Sequence, residues 1–123
     1  MEILHKDQTF NIIGACMRVH SELGCGFLEA VYQEALAFEF DDRGIIFKKE
    51  EQIEVYYKQH TLKQYYQADF ICYDNIIVEL KAAESLSANH TSQLINYLNA
   101  TDCRVGLLIN FGAQSLEHKR IVV

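Results

Sequence analysis

The chain contains no proline, and its 123 residues hold no low-complexity tract and no internal repeat. A chain without such segments offers no obvious linker between domains. Half of its residues are hydrophobic and 23% are charged, a balance that argues against intrinsic disorder. We therefore expect one compact domain over residues 1–123, built around a single hydrophobic core.

Long apolar runs and paired cysteines are also missing. No run approaches the roughly 18 residues that cross a bilayer, and residues 1–7 lack signal-peptide architecture. We therefore expect a cytoplasmic protein with no membrane partner. The cysteines form no Cys-x-x-Cys pair, which disfavours a structural zinc site. We interpret all four as small buried hydrophobic residues: Cys16, Cys25, Cys72 and Cys103.

Basic residues are scarce, with 11 Lys and Arg against 17 Asp and Glu and a formal net charge of −6. Proteins that bind duplex nucleic acid usually present a basic face that neutralises phosphates. If some of the acids are metal ligands, two bound Mg²⁺ ions would change the formal charge from −6 to −2. The remaining negative charge disfavours tight, non-specific duplex binding by an isolated monomer.

The spacing of apolar residues predicts an α/β domain with the order ααβββαβ. Asp7 is the expected N-cap of the first helix, and Gly24 and Gly44 are expected to end the first two helices. The last strand follows a helix, so we expect it to run parallel to an earlier strand. Residues 113–123 are assigned no element. The predicted helices span about residues 7–23, 27–42 and 90–100, and the predicted strands about residues 45–57, 62–72, 76–82 and 104–111.

Two charged residues interrupt the most apolar strand, residues 76–83. Such a run is typical of a strand buried on both faces, where an unpaired charge costs several kcal/mol. Because strand side chains alternate, Glu79 and Lys81 project from one face about 7 Å apart. Asp69 lies one strand earlier. Together they could hold a hard divalent cation, Mg²⁺ or Mn²⁺, beside an amine that orients water against a phosphodiester. The alternative is an Asp/Glu/Lys ion-pair network on a partly exposed sheet face.

A shared metal site sets a condition on the hairpin that joins the two strands. If the turn is only Asp74-Asn75, Asp69 faces away from Glu79. If residues 73–75 form the loop, Asp69 lies directly opposite Glu79. The metal hypothesis therefore predicts the longer loop with Asn75 at positive φ, or a bulge that restores the same parity.

Further candidates lie on helices and on tyrosine-rich strands. Gln93, Tyr97 and His90 are expected to share a polar face of the third helix above the carboxylates, where His90 and Tyr97 could contact substrate. Glu29 could add a carboxylate, although an acid is also favoured at a helix N-terminus for its dipole. Five tyrosines could stack bases, but we interpret them as strand formers: Tyr56, Tyr57, Tyr65, Tyr66 and Tyr73.

These residues resemble a known family. Residues 26–32 (Gly-Phe-Leu-Glu-Ala-Val-Tyr) are similar to the signature of the GxxExxY family, and Asp69 with Glu79-Leu80-Lys81 resembles its PD-(D/E)XK core. The resemblance runs from about residue 11 to residue 122. Gln93-x-x-x-Tyr97 is similar to the helix motif of RecB-like and lambda-exonuclease-like members. Cys25 and Gln59 depart from the family pattern, at positions where proline and glycine are common.

The resemblance implies a restriction-endonuclease-like αβββαβ core with an extra N-terminal helix and a mixed sheet. It also implies that Asp69, Glu79 and the Leu80 carbonyl bind the metal, that Glu29 completes the acidic cluster and that Gln93 supports the site. Lys81 would act on the water. The expected function is Mg²⁺-dependent hydrolysis of DNA, exonuclease-like or single-strand-directed, by a homodimer or with a protein partner. RNA is a weaker substrate alternative. A catalytically silent nuclease-fold module that binds a protein is the competing class.

Overall fold

The computed structural model describes residues 3–123, which form three helices and one five-stranded sheet. Met1 and Glu2, part of the segment that we interpret as lacking a signal peptide, lie outside the described residues. Within residues 3–123, no helix combines the length and hydropathy needed to span a bilayer. The elements are α1 (Lys6–Leu23), α2 (Glu29–Asp42), β1 (Phe47–Tyr57), β2 (His60–Cys72), β3 (Ile76–Lys81), α3 (Ala88–Asn99), β4 (Val105–Asn110) and β5 (Glu117–Val122).

The strands are arranged in the order β1-β2-β3-β4-β5. Strands β3 and β4 run parallel across the α3 connection, as predicted, and every other neighbouring pair is antiparallel. Strand β5 was not predicted. It is an edge strand that pairs only with β4, and its polar start, Glu117 to Arg120, lacks the alternation that marks a half-buried strand.

The sheet separates two clusters of buried side chains. Helices α1 and α2 cover one face, where Ile12 and Leu36 pack near Phe70, and this is the first cluster. Helix α3 covers the other face, where Leu94 packs near Leu108 in the second cluster. Strand β3 contributes alternately to both clusters and is therefore buried on both faces, as predicted.

The helix ends differ from the sequence predictions in ways that local contacts explain. The N-cap of α1 is His5, at φ 55, so Asp7 lies inside the first turn, where the helix dipole favours an acid. Helix α2 starts two residues late, because Leu28 has an extended backbone and serves as its N-cap. Helix α3 starts early, because Ser87 caps it through the His90 backbone N–H. Gly24 ends α1 at φ 71, as predicted.

The cysteines are free thiols, and three of them are buried. Cys25 is the exception, because it lies in the exposed loop between Gly24 and Gly26. Our interpretation of Cys25 as a buried hydrophobic residue is therefore wrong.

Candidate active site

The hairpin between β2 and β3 has the longer loop that a shared site requires. Cys72 pairs with Ile76, so residues 73–75 form the connection. The positive φ angles are at Tyr73 (55) and Asp74 (60), so the expectation for Asn75 is wrong. The reason is that the Asn75 N–H donates to the Cys72 carbonyl at 3.1 Å. This bond closes a four-residue turn whose two central residues are the left-handed ones.

Beyond the Phe70–Val78 pair the backbone ladder between β2 and β3 stops, and two carboxylates take its place. Continuing the register sets Asp69 opposite Glu79. The Asp69 N–H donates to Glu79 Oε1 at 2.8 Å, and the Leu80 N–H donates to Asp69 Oδ2 at 2.8 Å. Each carboxylate thus reaches the backbone of the opposite strand. We call this place the ladder opening; it consists of Asp69, Glu79 and the Leu80 backbone.

A break in side-chain alternation explains why Asp69 points into the opening. Ala68 packs in the second cluster and Phe70 in the first, although residues two apart on a regular strand share a face. The break therefore falls at Asp69. On β1 the matching position is Glu50, which has φ 55. At this break, Asp69 Oδ1 accepts a hydrogen bond from Gln33 Nε2 of α2 at 3.1 Å.

Burial and mutual repulsion set the electrostatics of the opening. Glu79 is 5% exposed, and burial, followed by the charge of Asp69, raises its pKa to about 8. Burial also raises the pKa of Asp69, while the Leu80 N–H and the charge of Lys81 act in the opposite direction. The opening is therefore short of positive charge, and Glu79 keeps its proton to a higher pH than an ordinary carboxyl group does.

Lys81 projects from the end of β3 towards α3, where its Nζ donates to Gln93 Oε1 at 3.1 Å. Gln93 is exposed, as a residue on a polar helix face should be. Tyr97 is not on that face. It is 6% exposed and packs with Leu94, and its ring lies 4.8 Å from that of Tyr66. The predicted polar face is therefore wrong for Tyr97, because the aromatic ring contributes more by burial than by exposure.

His90 has a capping role at the start of α3. Its backbone N–H donates to Ser87 Oγ at 3.3 Å, and its Nδ1 accepts from the Ser87 N–H at 3.1 Å. These two bonds form a capping box with histidine in the place usually taken by an acid or amide. The predicted substrate contact of His90 stays a prediction.

Glu29 is the first residue of α2, and the loop before it is firmly held. The Tyr32 hydroxyl donates to the Gly24 carbonyl at 2.5 Å and accepts from the Phe27 N–H, while its ring stacks on Phe111 at 4.6 Å. Glu29 itself is exposed. Partial desolvation of its carboxyl group, followed by the charge of Asp69, raises the pKa of Glu29. The carboxyl group of Glu29 is therefore close enough to the ladder opening to interact with its charge.

Two contributors were missed from the sequence. Gln33, one helical turn after Glu29, holds Asp69, and that spacing was the available signal. Asn110 is the second, and it is a lone amide inside an apolar strand. Its side chain accepts from the Ala83 and Gly112 N–H groups and donates to the Ala83 carbonyl and to Glu117. It thereby anchors the chain just after Lys81.

The carboxylate oxygens of the ladder opening are donors of the kind that a hard cation binds. Within residues 3–123, no three side chains of His, Cys, Asp or Glu are arranged to hold one metal ion. Glu29 is therefore not gathered with the other two carboxylates. Asp69 and Glu79 alone still fit, since they offer hard oxygen donors whose repulsion a cation between them would relieve. The fit extends to these two carboxylates.

Comparison with known proteins identifies the superfamily and the fold of the chain. The family model of the PD-(D/E)XK nuclease superfamily matches residues 6–121. The crystal structure of SSO0001 superimposes with a TM-score of 0.55 at 18% identity, covering 93% of this chain and 64% of that chain. At this identity the likeness concerns the fold alone. No curated protein matches the chain. The predicted restriction-endonuclease-like fold class is confirmed.

Proposed function

We propose, from the premise that this chain belongs to the PD-(D/E)XK nuclease superfamily, that it hydrolyses phosphodiester bonds of DNA with Mg²⁺ or Mn²⁺. Membership indicates a nuclease and therefore a nucleic-acid ligand. The metal dependence, the DNA substrate and placement in the GxxExxY family are our proposal. The observation that carries it is the ladder opening, where Asp69 and Glu79 meet beside Lys81.

In this proposal Asp69, Glu79 and the Leu80 carbonyl hold the cation, and Glu29 adds negative charge from α2. A bound cation would lower the pKa of a water ligand and offset charge on the phosphate. Gln33 keeps the Asp69 carboxylate oriented by occupying its Oδ1 oxygen. The Asp69 N–H does the same for Glu79.

Lys81 supplies the positive charge that the two carboxylates lack. Its ammonium can donate a hydrogen bond to the attacking water or to a phosphate oxygen as negative charge develops there. Gln93 Oε1 restrains the long side chain in a position between α3 and the opening. Because Gln93 offers no charge, it holds Lys81 without neutralising it.

The charge of the chain favours a single-stranded or end-directed substrate. A net charge of −6 gives little phosphate neutralisation over the long footprint of a duplex. The residues between the helices and strands also include no long insertion that could read base edges in a groove. A homodimer or a protein partner would add contacts that one copy does not provide.

The test is cleavage of single- and double-stranded DNA and RNA oligonucleotides with Mg²⁺ or Mn²⁺. We expect Lys81→Ala to slow DNA cleavage by about 100- to 1,000-fold, because one charge-stabilising donor is lost. Asp69→Ala should slow it at least as much. Lys48→Ala is the matched control. The Lys48 ammonium pairs with Asp74, in the turn between β2 and β3, at 3.4 Å. Its removal should leave the rate of cleavage unchanged.

Equal cleavage by the wild type, Lys81→Ala and Asp69→Ala would identify a contaminant and overturn the proposal. No cleavage by any form, combined with no metal-induced rise in melting temperature, would favour the silent module that binds a protein. Preference for RNA over DNA would correct the substrate while keeping the chemistry.

A further inference from the structure

The hairpin of β1 and β2 extends well beyond the rest of the sheet. Strand β2 pairs with β3 only at residues 70–72, whereas it pairs with β1 from residue 60 to residue 72. Residues 51–68 thus form a two-stranded extension, which we call the hairpin arm. A high β propensity explains why tyrosines occur in these strands, but it does not explain why their side chains are exposed to solvent. Four of them are exposed at the surface: Tyr56, Tyr57, Tyr65 and Tyr66.

A cleft of about 410 Å³ separates the hairpin arm from α3, and we call it the arm–α3 cleft. It is lined by Tyr56 and Tyr66 of the arm and by Asn96 and Asn99 of α3. Glu54 lies at the same place, where its Oε2 accepts from the Tyr56 hydroxyl at 2.8 Å. The cleft thus combines aromatic faces with groups that can both donate and accept hydrogen bonds.

The side chain of Tyr97 links the arm–α3 cleft to the candidate active site. Tyr66 packs on Tyr97, with 4.8 Å between ring centroids and 34° between planes. Tyr97 also packs in the second cluster with Ala68, the residue before Asp69, and burial followed by the charges of Glu79 and Asp69 raises its pKa to about 12. The Tyr97 side chain therefore lies between the arm–α3 cleft and the ladder opening.

We propose that the arm–α3 cleft is a subsite that stacks an unpaired base of a single-stranded nucleic acid next to the ladder opening. This inference rests on the proposed function and names the substrate class of that same site. An aromatic ring stacks on any base, and asparagine amides can hydrogen-bond to base edges that pairing would otherwise occupy. A duplex cannot supply such a base without opening.

The charges of the cleft favour a base over a phosphate. Among the described residues that line it there is no Lys or Arg, and Glu54 is acidic. A phosphate would be repelled there, and the net charge of −6 reinforces the repulsion. A neutral base has no such penalty, so the backbone of the strand would lie outside the cleft.

The experiment measures binding of a short single-stranded DNA that carries 2-aminopurine, with EDTA present so that no cleavage occurs. Wild-type protein should quench the 2-aminopurine fluorescence by stacking. Tyr56→Ala should weaken binding about 5- to 150-fold, because stacking contributes about 1–3 kcal/mol per base. Tyr56→Phe, which keeps the ring, should bind like the wild type.

Tyr57→Ala is the matched control. Tyr57 is the next residue of β1 and is equally exposed, 60% against 61% for Tyr56, yet it does not line the cleft. Its removal should leave quenching unchanged. The loss caused by Tyr56→Ala should also be the same at low and high salt, because a stacked base releases no counterions.

Equal binding by Tyr56→Ala and Tyr57→Ala would overturn the subsite, as would a duplex or a tyrosine-free acidic peptide that displaces the single strand. The same oligonucleotide with Mn²⁺ in place of EDTA separates the two proposals. Normal quenching without cleavage would contradict the nuclease proposal alone. Normal cleavage with no difference between the two tyrosine variants would contradict the subsite alone.

Discussion

Two polar side chains are buried on neighbouring strands of the sheet, Glu79 on β3 and Asn110 on β4, and their surroundings differ. Asn110 is fully buried, and its amide makes four hydrogen bonds, three of them to the backbone of Ala83 and Gly112. Glu79 accepts one bond, from the Asp69 N–H, and faces the charge of Asp69. Every amide donor and acceptor of Asn110 is used, whereas the Glu79 carboxyl lies beside a second carboxyl group.

The difference separates a structural role from a functional one. A neutral amide that makes all the bonds it can make stabilises a single backbone arrangement. A buried acid beside another acid costs stability, and such a cost is typical of sites that bind a charged ligand. Family membership alone does not make this distinction between the two residues.

The largest loss of stability should follow from removing the Asn110 amide. Asn110→Ala would leave the Ala83 N–H and carbonyl and the Gly112 N–H without their side-chain partner. We expect a loss of about 4 kcal/mol in the free energy of unfolding, measured by urea denaturation. Asn89→Ala, at an exposed position, is the control and should change it by less than about 0.5 kcal/mol.

If Asn110→Ala lowered the free energy of unfolding no more than Asn89→Ala does, the amide network would not anchor the chain after Lys81.

Glu79→Gln gives the other half of the comparison. It removes a charge that is poorly compensated, so it should leave stability unchanged or raise it at pH 8.

The pH dependence of stability should be opposite to that of an ordinary carboxylate. The pKa of Glu79 is about 8 when folded and about 4.5 when unfolded, so between these values the folded state binds the extra proton. Its contribution is complete below about pH 4.5 and is lost as the pH rises through 8. In EDTA, wild type should lose roughly 3 kcal/mol relative to Glu79→Gln between pH 5 and pH 8. Parallel pH profiles of the two proteins would contradict the repulsion at the opening.

A divalent cation should reverse that loss. Mg²⁺ or Mn²⁺ at a hundredfold excess over its Kd would add about 2.7 kcal/mol to the free energy of unfolding. The gain should be larger at pH 8 than at pH 6, because the ion replaces a proton on Glu79. Thermal denaturation checks it, with Asp69→Asn expected to abolish the gain and the exposed Asp74→Asn expected to retain it. A gain that survives Asp69→Asn would locate the ion elsewhere.

Much of this architecture could be predicted from local patterns. The buried run of β3 follows from hydrophobicity and the parallel β4 from the intervening helix, while the metal hypothesis required the loop of residues 73–75; the structure has all three. Strand β5 could not be predicted, because an exposed edge strand has no strong pattern of its own. The burial of Tyr97 was missed for a related reason, since its partner Tyr66 lies on a distant strand.

The site was predictable as a set of residue types but not as a geometry. Spacing placed Glu79 and Lys81 on one face, and the metal hypothesis required Asp69 opposite Glu79, yet neither could show the break in alternation at Asp69. That break coincides with the positive φ of Glu50, at the matching position of β1. The spacing of Gln33 from Glu29 could mark Gln33 as a candidate, but it could not show the contact with Asp69, which joins a helix to a strand 36 residues away.

The smallest effect should come from that contact. Gln33→Ala removes one hydrogen bond to a partly buried carboxylate, which contributes about 1 kcal/mol, while the Leu80 N–H still holds the other oxygen. We expect a cation affinity about fivefold weaker by calorimetry, with the unfolding free energy changed by less than that of Asn110→Ala. Glu34→Ala, the exposed neighbour on α2, should leave affinity unchanged. If Gln33→Ala weakened the affinity as much as Asp69→Asn, the amide would have to be a direct ligand rather than a residue that orients one.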